Sequence, residues 1–402
     1  MIILVLNCGS SSIKYQVLDM RSQSDNSLLA KGLVERIGLE EGDITHSVPG
    51  KEKLKIHKPI ANHTQGIQSV LDLLTDKEQG VLKSLDEIEA VGHRIVHGGE
   101  YFTQSCIIDD RVIAGIEKCI PLAPLHNPAG LLGIKAVKEI LPKLTQVAVF
   151  DTSFHQTIPQ KAFMYGLPYE FYEKDKIRKY GFHGTSHRYV SKVGAKLVGL
   201  DINDSKIITC HLGNGSSITA IKNGRVVDTS LGMTTVNGVI MGTRCGELDP
   251  GVITYIQKTK GLSAEEVDNI INKKSGFIGL SGISSDARDL EIASAKGDER
   301  ATLTLDIFRY GLLKYISSYV GIMGGVDLIV FTGGIGENDS VTREFISEKL
   351  SFLGIDFDKE VNHGLRGTTK VLTKKGSKVK VAVITTNEEL VIASDTMRLA
   401  KI

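Results

Sequence analysis

MIILVLNCGSSSIKYQVL (residues 1–18) opens with five consecutive apolar residues, 2–6, a run suited to a strand buried on both faces. The run breaks at Asn7-Cys8-Gly9-Ser10-Ser11-Ser12 and resumes as Ile13-Lys14-Tyr15-Gln16-Val17-Leu18, which predicts a β-hairpin with a loop of several residues. Small residues after Asn7 let an anion approach the backbone N–H groups, and the hydroxyls add donors. Lys14, just past the turn, adds a positive charge. Taken alone, the stretch reads equally as an ordinary polar hairpin.

A second copy changes the balance. Residues 206–221, KIITCHLGNGSSITAI, repeat the plan of apolar strand, small-residue turn and a strand opening Ser-Ser-Ile. The shared core is Ser11-Ser12-Ile13 against Ser216-Ser217-Ile218, half a chain length apart. Such repetition predicts two related halves facing each other, with a nucleotide held in the cleft between two phosphate-suited hairpins. A third turn, Thr332-Gly333-Gly334-Ile335-Gly336-Glu337-Asn338, follows the apolar strand 328–331 and leads into a helix predicted from Ser340 onward. No GxxxxGK[ST] sequence occurs, which excludes a Walker-type phosphate loop.

These motifs sit in a longer series. Asn7-Cys8-Gly9-Ser10-Ser11-Ser12-Ile13-Lys14 and Gly92-His93-Arg94-Ile95-Val96-His97-Gly98-Gly99 resemble the two signature segments of the acetokinase family of carboxylate kinases. The resemblance continues, in the family's order, through residues 150–155, 180–187, 211–215, 241–244 and 386–389, and so covers essentially the whole chain. Acetate, propionate and butyrate kinases share much of this pattern. The repeat and the resemblance together imply an α/β, two-domain actin-like ATPase (ASKHA) fold, with duplicated mixed-sheet domains around a nucleotide cleft.

Composition agrees. A chain of 402 residues suits two domains, and 41% apolar with 24% charged residues is a globular composition. A formal net charge of +1 gives no bulk attraction to nucleic acid or anionic membrane. No apolar run approaches the ~20 residues of a membrane span, and residues 1–8 lack the pattern of a secretory leader. Five scattered cysteines without a CxxC pair fit a reducing cytoplasm.

Along the chain, short β-like pieces at 28–37 and 53–57 are expected to extend the first sheet. Helical spacing appears at 62–74, and strands at 90–96 and 146–150. Asn127-Pro128 reads as a helix cap with a first-turn proline, opening a helix to about Leu141. A helix from Thr185 to Val198 is predicted to bury Tyr189, Val190, Val193 and Leu197, with Gly199 past its end. A hairpin at 206–228, helices at 262–273 and 302–320, a strand at 379–384 and a helix from Asn387 to about Leu399 complete the series. The expected domains are 1–150, joined by the C-terminal helix 387–402 and carrying the acyl substrate, and 151–386, binding the nucleotide.

A carboxylate acceptor would constrain the chemistry. With a pKa near ~4–5 it is ionised at neutral pH and needs no general base. The difficulty is bringing one anion up to another, which calls for fixed positive charge, a metal and exclusion of water. Arg94 and Arg244 lead the candidates, since guanidinium forks bind carboxylate and phosphoryl oxygens bidentately. The resemblance implies that Arg94 holds the acyl carboxylate and Arg244 stabilises the transition state. His183 can donate a hydrogen bond to an equatorial phosphoryl oxygen, and the resemblance makes Asp151 a group that orients arginine or water; blind to family, Asp151 reads as a turn aspartate. His93/His97 and His183/His187 have HxxxH spacing but lack the glutamate of a metalloprotease, so zinc is disfavoured.

Further roles come from the resemblance alone. An acyl pocket would use Val96, Leu125, His126 and Phe182. Nucleotide contacts would come from Ser10, Ser12, Lys14, His211, Leu212, Gly213, Asn214, Gly215, Asp286, Ala287, Arg288, Gly334, Ile335, Gly336, Glu337 and Asn338. Asn7 and Glu388 would hold Mg²⁺, with Mn²⁺ as substitute, and ATP/ADP is the co-substrate. For Asp286-Ala287-Arg288 a surface salt bridge explains the residues as well. The family also implies a homodimer acting on a small carboxylate. One departure stands out: Thr235 occupies a position where the family usually has proline in the acyl pocket, which bears on chain-length preference.

Overall fold

The computed structural model describes residues 1–401. They form two compact units, Met1–Phe154 with Asn387–Ile402, and His155–Thr386. The boundary falls four residues later than the sequence predicts. Asp151 belongs to the first unit, because its N–H donates to Ile95 O and its carboxylate holds Arg94.

The first unit contains strands β1 (Ile2–Cys8), β2 (Ser12–Met20), β3 (Asn26–Glu35), β4 (Gly42–Ser47), β5 (Leu54–Lys58), β6 (Ile88–Ile95), β7 (Cys106–Ile107) and β8 (Thr145–Phe150). They make one sheet in the order β5-β4-β3-β2-β1-β6-β8-β7. β1 and β2 pair antiparallel with Asn7 opposite Lys14, while β6 runs parallel to β1 and to β8. The hairpin expected at 1–18 is therefore present, and β4 is a strand the sequence reading did not find. Leu4, Leu6, Ile13, Tyr15 and Val17 pack with Ile67, Val70, Leu71 and Leu74 of the His63–Leu74 helix, capped by the Asn62 side chain. On the other side of the sheet's midline, Ile95, Ala148 and Phe150 pack on Ile116, Leu131 and Ile134.

The second unit contains β9 (Lys206–Leu212), β10 (Ser216–Lys222), β11 (Arg225–Thr229), β12 (Leu328–Thr332), β13 (Lys370–Val371) and β14 (Lys380–Val383), in the order β11-β10-β9-β12-β14-β13. β9–β10–β11 are antiparallel, and β12 runs parallel to both β9 and β14. The run β3-β2-β1-β6-β8-β7 of the first sheet is thus repeated strand for strand. Its core gathers Ile208, Cys210, Ile218, Ile329 and Phe331 with Phe308, Leu312 and Ile316 of the Glu299–Met323 helix.

Three local expectations need correction. Gly333–Asn338 is itself a short helix rather than a loop, followed by the Ser340–Lys349 helix that Asp339 caps. Asn127 is not a cap: His126 holds that position, and the Asn127 amide bonds both backbone groups of His97. The Gly184–Val198 helix buries His187, Val190, Ser191 and Gly194, whereas Leu197 is exposed. That polar buried face exists because hydroxyls of the second sheet receive it. Gly199 ends the helix in the left-handed conformation, as expected. Among the described residues no helix is long and apolar enough to cross a membrane.

Candidate active site

In the first unit, β1, β2, β6, β8 and the Glu388–Ala400 helix bring a charged cluster together. Arg94 ends β6 one residue before its last, and Asp151 follows β8 directly. The guanidinium donates from Nε to Asp151 Oδ1 at 3.0 Å and from Nη2 to Oδ2 at 2.7 Å, a bidentate clamp. Asp151 is buried and Arg94 largely so. Burial works to lower the arginine's pKa, but Asp151, with Glu388 and Glu389 adding to it, raises it above the ordinary value. The clamp uses one edge of the fork and leaves the Nη1 edge for an anionic acceptor. The pair fixes the orientation of the Arg94 guanidinium.

Lys14, opposite Asn7, forms an ion pair with Glu389 in the first turn of the last helix. Its ammonium is thus met by a carboxylate of its own unit. The same contact places Asn7 and Glu388 at one end of the unit. Their amide and carboxylate oxygens suit Mg²⁺, while Glu389 and Asp151 are engaged by cations. Among the described residues no group of three or more His, Cys, Asp or Glu forms a metal cage. This donor set fits an ion held mainly by phosphates and water.

Val96 is half-buried and Leu125 exposed, beside His126 at the head of the Asn127–Ile140 helix. Ser10 is exposed at the hairpin tip, Ser12 lies just inside it, and the Gly9 N–H is used internally by Ser12 O. The zinc alternative fails locally. His93 is buried against Gln146 Oε1 at 2.8 Å, and desolvation lowers its pKa to about 4, so it is a neutral core histidine.

The second unit holds the other candidates. His183 caps the Gly184–Val198 helix with φ 55°, a left-handed conformation unusual for a side-chain-bearing residue. Its Nδ1 lies 2.9 Å from Ser217 Oγ, and its ring stacks on His211 at 4.3 Å between centroids. Arg244 donates from Nη1 to Thr235 O at 3.2 Å. A proline would offer the same carbonyl, so Thr235 leaves this contact intact. Burial pulls the Arg244 pKa down, yet a guanidinium stays charged. A methyl group placed on Gly215 would sit 3.4 Å from both Arg244 Nη1 and His183 Nε2. Gly215 therefore leaves open the space onto which both donors point. Phe182, next to His183, is buried.

Gly276, which sequence reasoning missed, controls the Arg244 loop. It has φ +62°, and a Cβ there would come 1.9 Å from Met241 O and 2.6 Å from Arg244 O. Gly276→Ala is expected to destabilise the protein by about 2 kcal/mol or more and to lower kcat at least tenfold by displacing Arg244. Urea unfolding and steady-state rates check both effects.

A cavity of about 490 Å³ is lined by Gly213, Asn214, Asp286, Ala287, Arg288, Gly334, Ile335 and Asn338, all predicted, and by Glu291, Asp339 and Arg366, which were not. Its small and apolar wall with polar ends suits a nucleoside. Asp286 caps the Ala287–Ala295 helix and pairs with Arg288, so the salt bridge and the pocket wall are the same residues. Leu212 is buried in the core and does not reach the cavity. Gly336 is buried, and its carbonyl accepts from Nη1 of the fully buried Arg343. Glu337 turns inward, accepting from Gly333 N, Thr386 N and Thr332 Oγ1. Both are props of the glycine turn, which is why their side of it does not line the cavity.

Burial pushes the Glu291 carboxyl up to about 7, and its neighbour Asp339 pushes the same way against Arg309 and Arg366. A folded pKa above the ordinary value means stability present at low pH and lost as pH rises through about 7. The wild-type Tm is expected to fall relative to that of Glu291→Gln between about pH 5 and about pH 8. Parallel melting curves across that range test it.

The repeated sheet plan, each copy opening on a glycine- and serine-rich hairpin, is the two-domain actin-like ATPase fold, here carrying the charged groups of a phosphotransferase. A sequence profile of the acetokinase family matches residues 2–394. The acetate kinase of Caldanaerobacter subterraneus subsp. tengcongensis is 56% identical over 400 residues, covering 99% of each chain. The crystal structure of Porphyromonas gingivalis acetate kinase matches with a TM-score of 0.95 at 50% identity, over 99% of each chain. A propionate kinase from Francisella tularensis matches with a TM-score of 0.90 at 41% identity, again over 99% of each. The chain belongs to the acetokinase family, ATP-dependent phosphotransferases whose acceptor is a carboxyl group.

Proposed function

We propose that this chain catalyses reversible transfer of the ATP γ-phosphoryl group to acetate, giving acetyl phosphate and ADP by direct in-line displacement. The observation that carries the reading is the Arg94–Asp151 clamp: a buried guanidinium held on one edge and offering the other suits a carboxylate. Asp151 is committed to Arg94, and an ionised acid requires no general base. Val96, Leu125, His126 and Phe182 receive the acyl group. The 490 Å³ cavity takes the nucleoside, with Gly213, Asn214, Gly334, Ile335 and Asn338 toward its phosphates. Ser10 and Ser12 of the first hairpin would add hydroxyl donors for phosphate. Arg244 and His183 donate to the oxygens of the phosphoryl group as its charge redistributes. Asn7 and Glu388 would hold Mg²⁺, or Mn²⁺ in its place, which when bound neutralises phosphate charge.

The chain works as a cytoplasmic homodimer without nucleic acid or membrane partners. The family resemblance, five unpaired thiols and a net charge of +1 support this. Sedimentation at micromolar concentration tests the dimer, and a monomer there removes it.

Trapping acyl phosphate with hydroxylamine, in the presence of ATP and Mg²⁺, separates the substrates. Acetate is expected to give the highest kcat/KM among acetate, propionate and butyrate. Propionate or butyrate turning over as well as acetate overturns the choice of acid. No hydroxamate from any acid overturns carboxylate phosphorylation itself.

A further inference from the structure

We propose that Ser217, His187 and Thr209 form a directional hydrogen-bond relay that places the proton of neutral His183 on Nε2, the edge facing the phosphoryl group. The proposal rests on the role given to His183 above. His183 Nδ1 lies 2.9 Å from Ser217 Oγ, Ser217 Oγ lies 2.6 Å from His187 Nε2, and His187 Nδ1 lies 2.7 Å from Thr209 Oγ1. Ser217, His187 and Thr209 are all buried. Ser217 and Thr209 belong to β10 and β9, whose register sets Ser217 opposite His211 and Thr219 opposite Thr209. These four side chains therefore share one face of the sheet, the face on which the Gly184–Val198 helix lays His187.

Proton counting decides the direction. A serine hydroxyl has one hydrogen, so Ser217 can donate to only one of the two imidazoles it touches and must accept from the other. Burial, with His155 and His211 close by, holds His187 well below the usual histidine range, so it is neutral and carries one N–H. Two chains of donors remain. In the first, Thr209 donates to His187 Nδ1, His187 Nε2–H donates to Ser217, and Ser217 donates to His183 Nδ1. In the reverse chain His183 Nδ1–H donates to Ser217, Ser217 to His187 Nε2, and His187 Nδ1–H to Thr209. Among the described residues the Thr209 hydroxyl makes no other hydrogen bond, so the reverse chain strands a buried O–H without an acceptor. The forward chain satisfies every group and leaves Nε2–H on His183, beside Gly215 and Arg244 Nη1. Protonating His183 fits the reverse chain and still presents Nε2–H. Thus a phosphoryl oxygen meets a donor in both charge states. Ser217, His187 and Thr209 are positioning residues; the HxxxH pair His183/His187 is two ends of this relay and not a metal site.

The test is the tautomer of His183, read by long-range ¹H–¹⁵N correlation in histidine-labelled protein, with His183→Gln assigning the resonance. Wild type is expected to show Nε2–H. Thr209→Val removes both the donor the forward chain uses and the acceptor the reverse chain uses, so the two chains become comparable: a fraction of the Nδ1–H form should appear and kcat should fall about twofold with KM for ATP unchanged. Thr209→Ser should restore both. Nδ1–H in the wild type overturns the proposal, as does a Thr209→Val protein that loses activity with its tautomer unchanged, which marks a merely structural role. If His183→Gln itself retains full turnover, the functional reading of His183 fails, while the spectra still judge the relay.

Discussion

Arg244→Ala is expected to lower kcat by a hundredfold or more, with little change in the affinity for nucleotide. Arg244 is mostly buried, and its Nη1 lies with His183 Nε2 over the open space at Gly215, away from the nucleoside cavity. An interaction felt mainly as charge redistributes on the phosphoryl group is lost from kcat and not from binding. Losing one such preorganised donor costs on the order of 3 kcal/mol of transition-state stabilisation. Arg244→Lys should recover only a small part, because a single ammonium cannot both hold Thr235 O and reach the reacting oxygens as a fork does. Single-turnover rates with saturating ATP, alongside nucleotide titration, measure the two effects separately. Near-wild-type turnover in the alanine variant removes Arg244 from the role assigned to it.

The second large effect concerns Arg94 and Asp151. Arg94→Ala removes the cation that receives the carboxylate, and it also strands a buried Asp151. Two losses are therefore expected: turnover falls by orders of magnitude, and stability drops by about 3–5 kcal/mol, typical of breaking a buried pair from one side. Asp151→Leu should destabilise similarly by stranding the guanidinium. The double variant Arg94→Met/Asp151→Leu replaces the pair by apolar groups of similar size and should regain much of that stability without regaining activity. Denaturant midpoints and rates on the wild type, Arg94→Met, Asp151→Leu and the double variant close the cycle. An active double variant would show that neither charge is needed for the reaction.

How much of this was legible in the sequence differs by element. The two hairpins could be read because alternation of apolar runs with Gly, Ser and Asn turns is local, and the repeat of Ser-Ser-Ile is visible without a structure. The Gly333–Asn338 helix was hidden, since three glycines in six residues argue for a loop; it is held by the inward Glu337 carboxylate. The buried face of the Gly184–Val198 helix was misplaced because His187 and Ser191 look like surface residues until the hydroxyls of β9 and β10 are set against them. The Lys14–Glu389 pair was not legible, because Glu389 stands almost four hundred residues further along the chain. Glu291, Asp339 and Arg366 line the nucleoside cavity from separate segments and carry no shared local pattern. Asp151 was read as a turn residue or an orienting group; only the position of Arg94 on the neighbouring strand separates the two.

The Glu388–Ala400 helix has a consequence for biosynthesis. It lies on β6 so closely that a methyl group on Gly92 would come 2.4 Å from Thr396 Oγ1, and Asp395 accepts from Ser105 Oγ at 2.6 Å. The amino-terminal lobe is thus completed by a helix made more than two hundred residues after the rest of its sheet. At ~5–20 residues per second, more than two hundred intervening residues impose a wait of roughly ten seconds to most of a minute. Throughout that interval a nascent sheet stands with one side uncovered, a target for chaperones and a reason for the intervening lobe to fold first.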